Sequence, residues 1–529
     1  MSSEMKDVLR LLPPKPYTDI LVERYLETTN YGYYCLYPPT FSHDYAAWWS
    51  DRAKGRPPTP EFTCLLIRIC ACAAQYLDPE VQQKLESELG ESAQSLSESY
   101  HHAAERLSNT IPPGKGGLAQ IQQLFLTSAW FKSESLFVES RHALGSSIHE
   151  AQELGMHKSA PRAGLSESDI EMRRRMWCLL YVWDWQMSLL LSRPFIINAI
   201  YYPFELPNMQ LECVDSEAGP PSPISHISYQ CELGKIISRV PGTMGGTIDV
   251  TQAYPIKSDI DQWLTSLPPA YRETNPDTQW DEQYVYVPLQ RRQLHTIGYM
   301  TMLLPFKSFL TKTFDVQSSD ADRASRGTAV DIAAHLMEVS HRLFNHVYPL
   351  NAKFHLVTFV IFDTAAFLCS AVIHDRDHSL PQQKLVFQTI SLACSLMQRL
   401  GQITKTGAVC YPVLVRLANS LSTSSRRTAS FAGIEDETSI RGNDSFGPSP
   451  DLDASAVSDS ISPGSLSSFL DSMAPGAIFW PASLDLSVPG METPPITGLS
   501  DFSDLDVGQF DRIWDWQNLD LTLLPNLPA

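Results

Sequence analysis

Apolar residues that return every three or four positions, in window after window, are what most limits the folds open to this chain. Met172, Met176, Leu180, Trp183, Met187 and Leu190 are separated by four, four, three, four and three residues, the spacing that lines one face of an α-helix. Leu118, Ile121, Leu124, Phe125 and Ala129 form a second such face, and Leu144, Ile148, Ala151 and Leu154 a third, with Gly155 placed to cap it. The period-two alternation of strands is rare, and no fixed-period repeat occurs. Proline-rich pieces (Leu12-Pro13-Pro14, Arg56-Pro57-Pro58, Ile111-Pro112-Pro113 and the stretch from Gly219 to Pro223) fall between the periodic windows and read as inter-helix loops. The stretch from Tyr254 to Asp281 reads as loop-rich. The fold predicted is all-α: one large multi-helix domain over 11–421, followed by a disordered acidic C-terminal tail.

With 529 residues, 43% of them hydrophobic, the chain can bury one large core or two smaller ones. Phe354 to Ile373 is apolar enough to suggest a membrane span. Asp363 lies in its middle, however, and a carboxylate there costs about 2.5–3.5 kcal/mol on insertion scales. A buried core helix is expected, and no membrane partner. The first ten residues are charged and lack the apolar core of a signal peptide. Ten scattered cysteines include no C-x-x-C pair. Cys70 and Cys72 follow an apolar run and are expected as buried thiols, which suits a reducing compartment.

The composition shifts after Ser422. Ser, Gly, Pro and Asp dominate as far as Pro475, too little apolar area to offset ordering entropy, so 422–480 is expected to be a disordered linker. In 481–529 the acids Asp501, Asp504, Asp506, Asp511, Asp515 and Asp520 alternate with Phe502, Leu505, Phe510, Ile513, Trp514 and Trp516. Acids of this kind keep large apolar groups solvated until a partner groove accepts them, and Phe510, Ile513 and Trp514 would share a helical face. An activation segment that folds on a coactivator is expected; docking on the chain's own core is the alternative.

Sites for chemistry are scarce. His149-Glu150 opens like a zinc-protease motif, but Glu153 stands where the second histidine is needed. Gly114-Lys115-Gly116-Gly117 lacks the first glycine of a phosphate loop and its magnesium-binding hydroxyl. His101-His102 has no metal partner at useful spacing and is expected on an exposed helix. The acids Asp277, Asp281 and Glu282 do not form the Asp-Asp-x-x-Asp cluster of a helical cyclase. No catalytic residue, cofactor or metal site is expected. The net charge of −19, from 59 acids and 40 bases, also argues against direct DNA binding by this chain.

The stretch from about His142 to Asn208 is the most informative. Ile148 to His157 runs into a short linker, then Glu171-Met172-Arg173-Arg174-Arg175-Met176-Trp177, Tyr181, Asp184, Ser188, Ser192-Arg193-Pro194 and Glu205-Leu206-Pro207. This pattern resembles the middle homology region of fungal zinc-cluster transcription factors, and Leu12-Pro13-Pro14 and Pro38-Pro39-Thr40-Phe41 resemble that region's opening. Cys178, Trp185, Ser192 and Asn198 depart from it. Trp177, Tyr181, Asp184 and Ser188 would share a helix face, and a carboxylate buried there needs a cation or donors. Arg174, Arg175 and Arg193 are the candidates, in a structural network with Trp177, Tyr181, Asp184 and Pro194; a small-molecule effector pocket is the alternative.

The resemblance implies a nuclear transcription regulator, without the zinc cluster that reads DNA, controlling a metabolic or secondary-metabolite gene cluster. Its implied partners are coactivators, through the tail, and a DNA-binding partner or a second copy of the chain. The alternative is a ligand-sensing or inhibitory helical module that acts on a DNA-binding partner without activating. An enzymatic role is not expected.

Overall fold

The computed structural model describes residues 2–158, 164–191, 193–200, 203–208, 211–212, 219–239, 250–351 and 353–431. The tail residues Phe502, Leu505, Phe510, Ile513, Trp514 and Trp516 lie outside them. Helix starts follow the local chemistry. Ser2, Asp78, Ser92 and Ser319 each accept from the amide three residues on, and prolines occupy the first turn of the helices that begin at Pro38, Pro60 and Pro79. Gly90 and Gly155 take the left-handed conformation just past helix ends, with φ of 77° and 74°.

Among the described residues there are seventeen α-helices and no β-strand beyond an isolated bridge between Phe314 and Asp375. The first nine are α1 (Ser3–Leu11), α2 (Lys15–Glu27), α3 (Pro38–Ala53), α4 (Pro60–Ala73), α5 (Pro79–Leu89), α6 (Ala93–Ser108), α7 (Gly117–Ser133), α8 (Phe137–Glu153) and α9 (Glu167–Leu190). Buried throughout from Thr63 to Ala73, α4 is the centre of this half, with α2, α6 and α7 packed around it. On the far side of α7, α8 carries α9.

The remaining helices are α10 (Ser225–Ser238), α11 (Val250–Ser266), α12 (Tyr286–Leu303), α13 (Lys307–Thr311), α14 (Asp320–Val347), α15 (His355–Ile373), α16 (Gln383–Gly401) and α17 (Lys405–Phe431). Here α14 to α17 pack on one another, and α12 ties them back to α10 and α11. The apolar window of α15 is 83% buried, and its Asp363 accepts from Lys307 Nζ at 2.6 Å. It is a core helix.

Two expectations are corrected. The first half of the supposed loop region is α11. Ala253, Ile256, Ile260 and Trp263 recur at helical spacing and are buried, and that burial outweighs Pro255 inside the helix. His101 is not exposed. Its ring is 1% accessible, stacks on Trp130 with centroids 3.6 Å apart and meets the buried guanidinium of Arg68.

Candidate functional site

The informative segment folds as α9 and the loop that returns over it. Ser166 and Asp169 form a reciprocal capping box at its start. Glu171 and Arg175, four residues apart, then face the same way. Arg175 donates from Nε to Glu171 at 2.8 Å and from Nη2 to Glu212 at 2.7 Å. Arg174 donates to Glu171 at 3.0 Å and to Glu205. Glu171 also accepts from the Asn208 amide at 3.2 Å, and Ser222 Oγ donates to Glu212 at 3.0 Å. The side chains of Arg175 and Glu171 are only 2% and 3% accessible, against 21% and 62% for Arg174 and Glu205. Half of this network is therefore interior.

A second cluster closes the other end of α9. Asp184 Oδ2 accepts from the amides of Ile196 and Ile197 at 2.8 and 2.7 Å. Ser188 Oγ lies 3.4 Å from Asp184 Oδ1 and donates to the Pro194 carbonyl at 3.2 Å. That carbonyl also accepts from Arg141 Nη2, on α8, at 2.6 Å. Burial pushes the Asp184 carboxyl up to about 6, against the opposing pull of the two amides and of Arg141. Trp177 and Tyr181 are buried between the clusters. Tyr181 meets Phe204 edge-on at 5.1 Å, and the Trp185 ring lies against Gly234 of α10.

The residues expected in one network fall instead into two clusters, and the pairing differs. Arg174 and Arg175 go to glutamates, and Asp184 is met by backbone amides with Arg141 as its nearby cation. Arg193 contributes its amide, which donates to the Ser188 carbonyl at 2.8 Å. Sequence reasoning missed Glu212 and Arg141. Spacing along α9 could reveal Glu171 as the partner of Arg175 but carries no sign of residues on other elements. Chemically, these groups neutralise one another and clamp the loop to the helix.

Other lookalikes are absorbed in the same way. Glu150, beside the would-be zinc ligand His149, accepts from the Gly114 amide at 2.9 and 3.0 Å, so a carboxylate fills the turn that resembled a phosphate loop. Asp281 pairs with Arg291 at 2.7 Å. His101, His102 and Glu105 bring three potential ligand atoms within 4.8 Å of one another. The Arg68 guanidinium engages His101 Nδ1 there, and a fixed positive charge opposes a cation. Burial pushes the thiols of Cys35, Cys64 and Cys72 up to about 12, which makes them inert core groups.

Residues 22–231, which include the core helix α4 and the α9 network, match the family described as "Fungal specific transcription factor domain". Over that stretch the chain is similar to a fungal transcription factor domain. It is 25% identical to "Probable transcription factor sol4" of Alternaria solani over 71% of this chain and 69% of that protein. "Transcription factor xilB" of Penicillium rubens is 23% identical over 69% of this chain and 58% of its own length. For "Equisetin cluster transcription factor eqxF" of Fusarium heterosporum the figures are 21%, 66% and 51%. The chain thus spans between half and about two-thirds of these relatives. A solved structure titled "Structure of the K. lactis CBF3 core" aligns over 78% of the chain and 89% of its own, at TM-score 0.41 and 11% identity.

Proposed function

We propose that this chain regulates transcription of a metabolic or secondary-metabolite gene cluster in the nucleus of a fungal cell. The observation that carries the reading is the domain match over residues 22–231. Support for the kind of target comes from relatives titled as transcription factors of the equisetin and fusarisetin A clusters. The domain is the helical body over 11–421, 422–480 is the linker, and 481–529 recruits coactivators through its acid–aromatic alternation. A net charge of −19 and the lack of a C-x-x-C pair favour DNA contact through a DNA-binding partner, a second copy, or residues outside this sequence.

The test fuses residues 480–529 to a foreign DNA-binding domain beside a reporter. Activation is expected, together with its loss when Phe510, Ile513 and Trp514 are all replaced by Ala. A silent fusion removes the activator reading and leaves the ligand-sensing or inhibitory alternative.

A further inference from the structure

Where α7 meets α9, an aromatic cluster encloses a single amine. Tyr33 and Phe125 meet the Trp183 ring edge-on, with centroids 5.2 and 4.7 Å away. Lys132, near the end of α7, brings its Nζ to 4.2 Å from the centroid of that same ring. The residue is 2% accessible, so the amine is as interior as the rings around it.

No anion answers it. Among the described residues, Lys132 makes no ion pair and no hydrogen bond. The carboxylates on the elements around it are committed elsewhere. Glu134, just past α7, accepts from Gln75 and Lys405, and Asp184 of α9 accepts from the amides of Ile196 and Ile197. Burial keeps the protons on Tyr33 and, on α4, on Cys72 and Tyr76, so none of these supplies negative charge. The other basic groups are turned away: Arg141 of α8 donates to the Pro194 carbonyl, His101 of α6 meets Arg68, and Lys353 donates to Gln94 at 3.4 Å. An indole face attracts an ammonium, but it does not replace the water that a buried ion gives up. Burial therefore holds the Lys132 amine down to about 7, against an ordinary 10.5.

We propose that Lys132 is a proton-operated latch between α7 and α9: the neutral amine packs beneath Trp183 and closes the contact, and the ammonium loosens it. Because α9 carries both polar clusters, a proton taken up at Lys132 acts on the loop that those clusters clamp. The folded chain releases this proton near pH 7, whereas the unfolded chain keeps it up to about 10.5. Stability is therefore lower below pH 7 and rises from there toward 10.5. This inference goes beyond the transcription-regulator reading and stands without it, because its test measures stability and amide exchange alone.

The test compares the full 529-residue chain with its Lys132→Met variant, which keeps the unbranched stem and removes the proton site. Urea titrations at pH 6, 7, 8 and 9 give the unfolding constants. Relative to the variant, the parent's constant should fall about fiftyfold between pH 7 and 9, approaching tenfold per unit as one proton is lost, and should change little between pH 6 and 6.5. At pH 6 the variant should be the more stable of the two. Amide hydrogen exchange, corrected for its intrinsic pH dependence, should show α9 better protected at pH 8.5 than at 6.5 in the parent and equally protected at both in the variant. The proposal is overturned if the two chains differ by a constant amount from pH 6 to 9, if α9 protection follows pH alike in both, or if Lys132→Met is unfolded or less stable than the parent at pH 6, since the ammonium would then be a favourable partner of Trp183.

Discussion

At the scale of single residues, two neighbouring arginines on α9 have unequal weight. Arg175 is interior and satisfies two glutamates; Arg174 is partly exposed, reaches the exposed Glu205 and shares the buried Glu171, which keeps Arg175 when Arg174 is removed. Removing the cation from a buried pair leaves uncompensated charge, so Arg175→Ala should cost about 3–5 kcal/mol, while Arg174→Ala should cost no more than about 1 kcal/mol. Urea midpoints measured side by side check this, and equal losses would refute it. Asp184 gives a pH signature. Its folded carboxyl titrates at about 6, against an ordinary 3.8. The native state therefore holds a proton that the unfolded chain has released, and stability falls as pH rises from about 4 to 6 and stays lower above. Asp184→Asn has no proton to lose, and its amide can donate to Ser188. Its stability relative to the parent should rise across that window, by an amount on the order of 3 kcal/mol. Denaturant titrations at pH 4, 5, 6 and 7 would show it; a constant difference would mean that burial does not govern this group. Spacing exposes Asp184 as a buried carboxylate in need of partners, because neighbours along one helix are written in order. It cannot name the amides of Ile196 and Ile197, because a loop's return path has no periodicity.

At the scale of elements, the same limit explains what was legible. The faces from Leu118 to Ala129 and from Met172 to Leu190 fall in α7 and α9, although both helices are buried on nearly every side; the largest apolar groups keep the helical period even there. His101 read as exposed because polar residue type dominates a local reading, whereas the stack on Trp130 belongs to α6–α7 packing. The α9–α10 contact is equally silent in sequence. A Cβ added at Gly234 would lie 2.6 Å from Trp185 Cδ1 and 3.0 Å from Tyr181 Cε1. Glycine inside a helix ordinarily costs about 0.5–1 kcal/mol relative to alanine, but here overpacking should reverse the sign. Gly234→Ala is expected to destabilise by about 1–3 kcal/mol. Gly145→Ala on α8, whose new methyl would meet Ile196 Cδ1 at an ordinary 3.7 Å, should stabilise by up to about 1 kcal/mol. Opposite shifts in melting temperature for the two variants are the expected outcome.

At the scale of the molecule, the matched segment ends at residue 231 while the packing does not. Gln290 Nε2, on α12, donates to the Pro223 carbonyl at 2.8 Å and to Tyr31 at 3.2 Å. Tyr286 OH donates to Pro221 at 2.8 Å. At another edge, Lys405 of α17 donates at 2.6 Å to Glu134, whose side chain is 3% accessible and also accepts from Gln75 at 2.8 Å. Cutting after residue 231 would strip donors from the Tyr31, Pro221 and Pro223 carbonyls and remove the counter-ion of an interior carboxylate. It would also divide α10 and take away α11 and α12, which pack on it. Each lost donor costs about 1–3 kcal/mol where the partner stays buried, and together they approach the 5–15 kcal/mol that holds a typical domain folded. Residues 1–231 expressed alone should therefore lack a cooperative thermal transition and native near-ultraviolet circular dichroism, whereas residues 1–431 should show both. A cooperative melt from the shorter fragment would mean that the matched segment is an autonomous domain and the contacts from α12 and α17 merely decorate it.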